Sequence, residues 1–156
     1  MMLEVARFVN LVLAGLLAGN ELGTKVAVHP ALERLGTPER IRAEQEVTRR
    51  YGAIMPLWMS SVVVSCGAVA ALSRGTWAFL PTLLGAACFS GMLASTLTGN
   101  VPINDRVLEL SPEADGEEFV GLRDRWDRLH TLRVALVITG FALLCVGALE
   151  GDRGRD

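Results

Sequence analysis

GTWAFLPTLLGAACFSGMLASTLTGNVPIN, residues 75–104, carries no Asp, Glu, Lys or Arg in any of its 30 positions. A soluble helix shows a charged or strongly polar side chain to water every turn or so, because one face always meets solvent. A run this long without one belongs in hydrocarbon, where about 20 helical residues span the core. Residues 51–73 are equally free of charge, and a further apolar run lies toward each end of the chain. We place spans near 5–27, 53–73, 77–99 and 131–149. The sequence thus predicts an all-α, integral membrane four-helix bundle with helical extensions on the cytoplasmic side. It forms one domain over 1–150, followed by a flexible tail at 151–156.

Composition agrees: 51% of the 156 residues are apolar and mean hydropathy is +0.37. The net charge of −2 offers nucleic acid no basic surface, so the partner to expect is the lipid bilayer. Arginines gather in two connections, with Arg34, Arg40, Arg42, Arg49 and Arg50 in the first and Arg106, Arg123, Arg125 and Arg128 in the second. The positive-inside rule puts both connections in the cytoplasm. Four spans then leave both termini outside a plasma membrane, against a smaller bias from Arg7, Arg74, Arg153 and Arg155. Arg7 followed by an apolar run imitates a secretory signal. No small-x-small site precedes Asn20, so the segment is read as a retained span. Cys66, Cys88 and Cys145 fall in three different spans without ligand-like spacing, and read as small packing residues.

Both charged connections carry helix signals. Thr37-Pro38-Glu39 supplies an N-cap, a first-turn proline and an acid, and Ile41 to Met55 runs on into the second span, where Pro56 is expected to kink it. Ser111-Pro112-Glu113 is expected to start another helix, along which Phe119, Leu122, Trp126, Leu129 and Arg133 recur at spacings of three and four. Gly15, Gly19 and Gly23, and likewise Ala87, Gly91, Ser95 and Gly99, form small-residue ridges that let membrane helices approach closely. Packing within the chain is the expected use. Homo-oligomerisation is the alternative.

Function has to come from polar groups that do not fit lipid, since an ionisable side chain there needs a partner. They collect at one end. Glu21, Lys25 and His29 close the first span, Asn100 and Asn104 the third, and Trp126, His130 and Arg133 open the fourth. Trp126, His130 and Arg133, at offsets of four and three, share one helix face. His130 suits proton exchange near neutral pH, Arg133 suits an anion, and Trp126 offers a ring face and an N–H. The competing reading is interfacial anchoring, which Trp and Arg commonly provide. Asn100 and Asn104 flank Pro102, which should end or distort the helix. Their amides either bind a carbonyl or phenol or satisfy a frayed terminus. Glu21 reads as a buried base, as a partner for Arg133, or as the i,i+4 partner of Lys25. His29, next to Pro30, reads as a boundary residue rather than a ligand.

A chain of this length, with Gly-Asn-Val-Pro-Ile-Asn closing the third span and Trp-x-x-x-His-x-x-Arg opening the fourth, resembles the anthrone oxygenase-like membrane family. Glu21, His29-Pro30, Asn100, Pro102, Asn104, Trp126, His130 and Arg133 carry the resemblance. It implies oxidation of polyketide anthrones to anthraquinones by O₂ in natural-product biosynthesis, with no metal or flavin. That chemistry asks for a base, a stabiliser of the enolate oxygen and an apolar pocket. His130, Trp126 and Asn104 are therefore the candidate catalytic residues, and Asn100, Arg133 and Glu21 the substrate-binding ones. The expected partners are a hydrophobic small molecule and O₂, with no cofactor. Three alternatives stay open: an acid–base cyclase or isomerase, a non-catalytic assembly or lipid-binding protein, and a bundle that ligates haem or a metal through His29 and His130.

Overall fold

The computed structural model describes residues 1–113 and 115–153. Four long helices account for nearly all of them: α1 (Met2–Leu32), α2 (Thr37–Leu72), α3 (Phe79–Glu109) and α4 (Gly116–Arg153). All four are long and apolar enough to cross a membrane, so the chain is a multi-pass membrane protein. At about 1.5 Å per residue, the 36 residues of α2 outrun a hydrocarbon core of roughly 30 Å. The helices therefore project beyond lipid at the end bearing the arginine-rich connections.

The connections at 33–36, 73–78 and 110–115 are short, which makes sequence neighbours antiparallel neighbours. Each helix packs on the next and α4 closes against α1, giving an up-down-up-down bundle. Within the middle connection Gly75 takes φ +80, a left-handed conformation that glycine adopts without steric penalty.

Two apolar layers hold the bundle. The larger, in the membrane half, contains Leu17, Met59, Val62, Phe89, Met92, Val137 and Leu144. The smaller closes the charged end with Ile41, Ile103, Val107, Leu110, Phe119 and Trp126. Between them lies a buried polar layer. On the outside, Phe8, Leu16, Leu57, Val64, Leu80 and Leu132 are exposed, as expected of surfaces that face acyl chains rather than water.

Only part of the small-residue pattern is used within the chain. A Cβ on Gly15 would lie 3.1 Å from the Phe141 ring, whereas one on Gly19 or Gly23 would meet nothing within 4 Å. Helices α3 and α4 approach closely at their glycines. A Cβ on Gly85 would come within 3.0 Å of the Gly140 carbonyl oxygen, and one on Gly140 within 3.0 Å of Cys88 Cβ.

Several expected boundaries shift. Gly36, in extended backbone, is the N-cap of α2 and Thr37 is already helical, with no side-chain cap. Ser111-Pro112-Glu113 does not start α4. It forms the turn before it, where the Ser111 amide donates to Asp115 Oδ2 at 2.7 Å, and the helix begins at Gly116. Pro56 sits inside α2 without breaking it. The helix α4 continues to Arg153, and residues 154–156 of the expected tail lie outside the described residues.

Both odd-numbered helices contain a π-helical turn, Thr24–Val28 in α1 and Thr96–Asn100 in α3. Each ends two residues before a proline, Pro30 and Pro102, in the matching runs TKVAVHP and TLTGNVP. Proline lacks the N–H that closes an α-turn, and its ring collides with the carbonyl four residues back. Widening the turn relieves that collision and admits one extra residue, an irregularity that recurs at functional sites. Pro102 thus distorts the third span without ending it.

Candidate functional site

The polar layer is built on the face of α4 whose buried positions are Phe119, Arg123, Trp126, His130, Arg133 and Val137. Their alternating steps of four and three keep one seam of a helix pointed into the bundle. Apolar residues above and below anchor that seam, so the polar ones between are carried inward. The π turns of α1 and α3 lie at the same level and bring in Glu21, Thr24 and His29 from one side, and Thr96 and Asn100 from the other.

Two carboxylate–histidine–arginine groups result. In the first, Arg133 Nη2 donates to both oxygens of Glu21 at 2.6 Å. His130 Nδ1 lies 3.3 Å from Glu21 Oε2, within reach of its charge but off the hydrogen-bonding axis. In the second, Arg123 Nη2 lies 2.9 Å from His29 Nδ1. Arg123 Nε is 3.4 Å and Arg40 Nε 3.7 Å from Glu44 Oε1, and Asp127 holds Arg123 at 3.2 Å. Every one of these carboxylates faces a guanidinium. That is how buried charge is tolerated.

Trp126 separates the two groups. Its ring centroid is 4.7 Å from that of His29 and 4.6 Å from that of His130, and the two imidazoles are 5.6 Å apart, edge to face. The Arg123 guanidinium covers the indole at 4.2 Å, a cation–π contact. The indole N–H donates to Asn104 Oδ1 at 2.8 Å.

A cavity of about 140 Å³ opens beside this layer, lined by His29, Trp126, His130, Arg133, Glu21, Asn104 and Tyr51 among others. Its remaining wall is largely apolar, from Val47, Met55, Met59, Leu93 and Leu97. Tyr51 donates from its hydroxyl to Asn20 Oδ1 at 3.1 Å. Gly52, Pro56 and Leu97 line the cavity and are themselves exposed, so its mouth opens between α2 and α3 on the lipid-facing side.

The structure brings five of the six expected site residues onto this wall: Glu21, Asn104, Trp126, His130 and Arg133. Asn100 is fully buried, is not on the wall, and has both amide atoms without a hydrogen-bond partner. Of the three readings of Glu21, the partner of Arg133 is the one realised. His29 corrects an expectation: it is 4% exposed and sits in the layer instead of marking a boundary, because the π turn before it rotates its side chain inward.

Glu44 and Arg123, both buried, were missed. Their type assigned them to solvent, although Arg123 continues the four-and-three seam of Phe119, Trp126 and His130. Among the described residues no three His, Cys, Asp or Glu side chains are grouped to hold a metal ion.

The chain is thus a helical membrane bundle with two buried imidazoles on the wall of one cavity. A family model described as anthrone oxygenase matches residues 45–143, which include Asn100, Asn104, Trp126, His130 and Arg133. The chain belongs to the anthrone oxygenase family. Comparison with curated proteins and with solved structures returned no match.

Proposed function

We propose that this protein is a membrane-embedded, cofactor-independent oxygenase. On this reading it removes a proton from an anthrone-like aromatic ketone and lets the resulting carbanion react with O₂. The observation that carries it is His130, 0% exposed, on the cavity wall, with the Glu21 carboxylate 3.3 Å from Nδ1 and neither ring nitrogen hydrogen-bonded. The carboxylate favours the proton on Nδ1. Nε2 is left with a lone pair, the arrangement of a general base.

The stoichiometry is anthrone plus O₂ to anthraquinone plus water. His130 Nε2 takes one proton from the methylene carbon, and the electron pair left behind spreads onto the ketone oxygen. This electron-rich anion passes an electron to O₂, the two radicals combine at that carbon, and the peroxide takes the proton back from His130. Loss of the second C–H proton then expels hydroxide, which leaves as water, and the carbon becomes the second carbonyl. The substrate is the reductant and O₂ the oxidant. Trp126 supports the flat rings, the amide nitrogen of Asn104 donates toward oxygen, Arg133 balances Glu21, and Asn100 supplies an unused amide close by. In the membrane, the arginine-rich connections face the cytoplasm and both termini lie outside, in the plasma membrane. A C-terminal reporter that works only outside the cell tests that orientation.

The decisive experiment incubates detergent-purified protein with anthrone with and without air, beside His130→Gln. The wild type should form quinone only with O₂, and loss of the base should slow it by about 10²–10⁴-fold. Turnover of a ketone or phenol that ignores O₂ would make the protein an acid–base cyclase or isomerase. No turnover of any anthrone, with the variant equal to wild type, would overturn the reading.

A further inference from the structure

The chain holds two histidines, and their neighbours differ in a way that biases where each ring carries its proton. A guanidinium has donors only and stays protonated in proteins. Arg123 Nη2, 2.9 Å from His29 Nδ1, can form that hydrogen bond only if Nδ1 accepts it. Glu44 Oε1 is farther from the same nitrogen, at 3.6 Å, and is itself approached by Arg123 and Arg40. A neutral imidazole that accepts at Nδ1 carries its hydrogen on Nε2. That Nε2 is buried, has no hydrogen-bond partner, and belongs to a residue on the cavity wall. His130 is the reverse case: a carboxylate, which only accepts, stands beside its Nδ1.

We infer that His29 is a second catalytic residue, held by Arg123 as the neutral Nε2–H tautomer and donating that hydrogen to the substrate's ketone oxygen while His130, the opposite tautomer, takes the C–H proton. The catalytic part of this assignment rests on the enolisation step proposed above, whereas the pair of opposite tautomers does not. As the proton moves to His130 Nε2, the electron pair it leaves is drawn onto an oxygen already hydrogen-bonded to His29. Donors aimed at the atom where charge develops stabilise it most when water is excluded. Trp126 contacts both imidazoles, whose centroids lie 5.6 Å apart, so one ketone meets the two at once. The substrate class is thereby narrowed to ketones whose acidic C–H and carbonyl oxygen sit on one rigid ring system. Arg123 is a positioning residue that acts through His29.

With two histidines, ¹⁵N-histidine labelling of the full chain in detergent at neutral pH gives a long-range ¹H–¹⁵N spectrum of two ring patterns, assigned from His29→Gln and His130→Gln. His29 should show Nε2–H and His130 Nδ1–H, and Arg123→Gln should release the His29 ring from its single tautomer. Two rings in the same tautomer, or a His29 imidazolium, would overturn the assignment. Glutamine places an amide N–H near the imidazole Nε2 position. His29→Gln should therefore keep deuterium exchange at an anthrone methylene, measured without air, within about tenfold of wild type, while His29→Leu lowers it by about 10²–10³-fold. Equal exchange in wild type and His29→Leu would refute the catalytic role. Exchange without air that is never followed by quinone in air would sink the oxygenase reading and leave the role of His29 standing.

Discussion

Glu21 and Arg133 show how one residue's burial sets another's. Neither belongs in hydrocarbon alone, and their contact at 2.6 Å joins α1 to α4 across the polar layer. Removing one member of a buried pair strands the other charge, which typically costs about 3–5 kcal/mol, whereas replacing both by apolar residues of similar volume is near neutral. Glu21→Leu should therefore lower the unfolding midpoint in detergent sharply, and Glu21→Leu with Arg133→Met should recover most of it. Recovery of stability without recovery of turnover is expected, because the double variant lacks the carboxylate beside His130 Nδ1. A single variant as stable as wild type would show that the pair does not hold the helices together.

At the element scale, glycines and prolines decide how close the helices come and which way they face. Gly85 touches the Gly140 backbone, while Gly19 looks into open space. Gly85→Ala should cost about 1–3 kcal/mol by overpacking. Gly19→Ala should be neutral, or stabilising by up to about 1 kcal/mol through helix propensity. Thermal unfolding of the two variants side by side checks this, and equal midpoints would contradict it. The π turns answer to the prolines in the same way. Pro102→Ala restores the missing N–H, lets the turn close, and shifts Asn100 and Asn104. Circular dichroism should show the helix intact, while turnover falls by about tenfold or more, since displacements near 1 Å are costly to catalysis. Gln45 links elements too: its side-chain amide donates to the Val107 and Leu110 carbonyl oxygens at 3.0 Å and so ties α2 to the last turn of α3.

The whole molecule sets the route to the site. Its polar layer lies between a lipid-facing apolar half and an apolar plug at the charged end, and the cavity mouth is framed by Gly52, Pro56 and Leu97 between α2 and α3. On the proposed function, a lipid-soluble substrate would meet that mouth from the side. Gly52 has no neighbour that a Cβ would touch, so Gly52→Trp should leave the fold intact while obstructing the opening. KM for an anthrone delivered in lipid should rise by about tenfold or more with kcat little changed, as expected when only access or uniform binding is lost. An unchanged KM would mean that the substrate enters elsewhere.

Apolar runs of about 20 residues with few or no charges leave a chain no stable place but lipid, so the four spans, the all-helical class and their antiparallel order were readable from the sequence. So was the polar face of α4, because offsets of four and three put Trp126, His130 and Arg133 on one side whatever the other helices do. His29, Glu44 and Arg123 were not. Residue type sends Glu and Arg to solvent and leaves a histidine beside proline at a helix boundary. What brings them inside is a π turn that rotates α1 by one extra residue, and opposite charges arriving from helices α1, α2 and α4. Pairing of buried charges is a property of positions far apart in sequence. Only the packed bundle decides it.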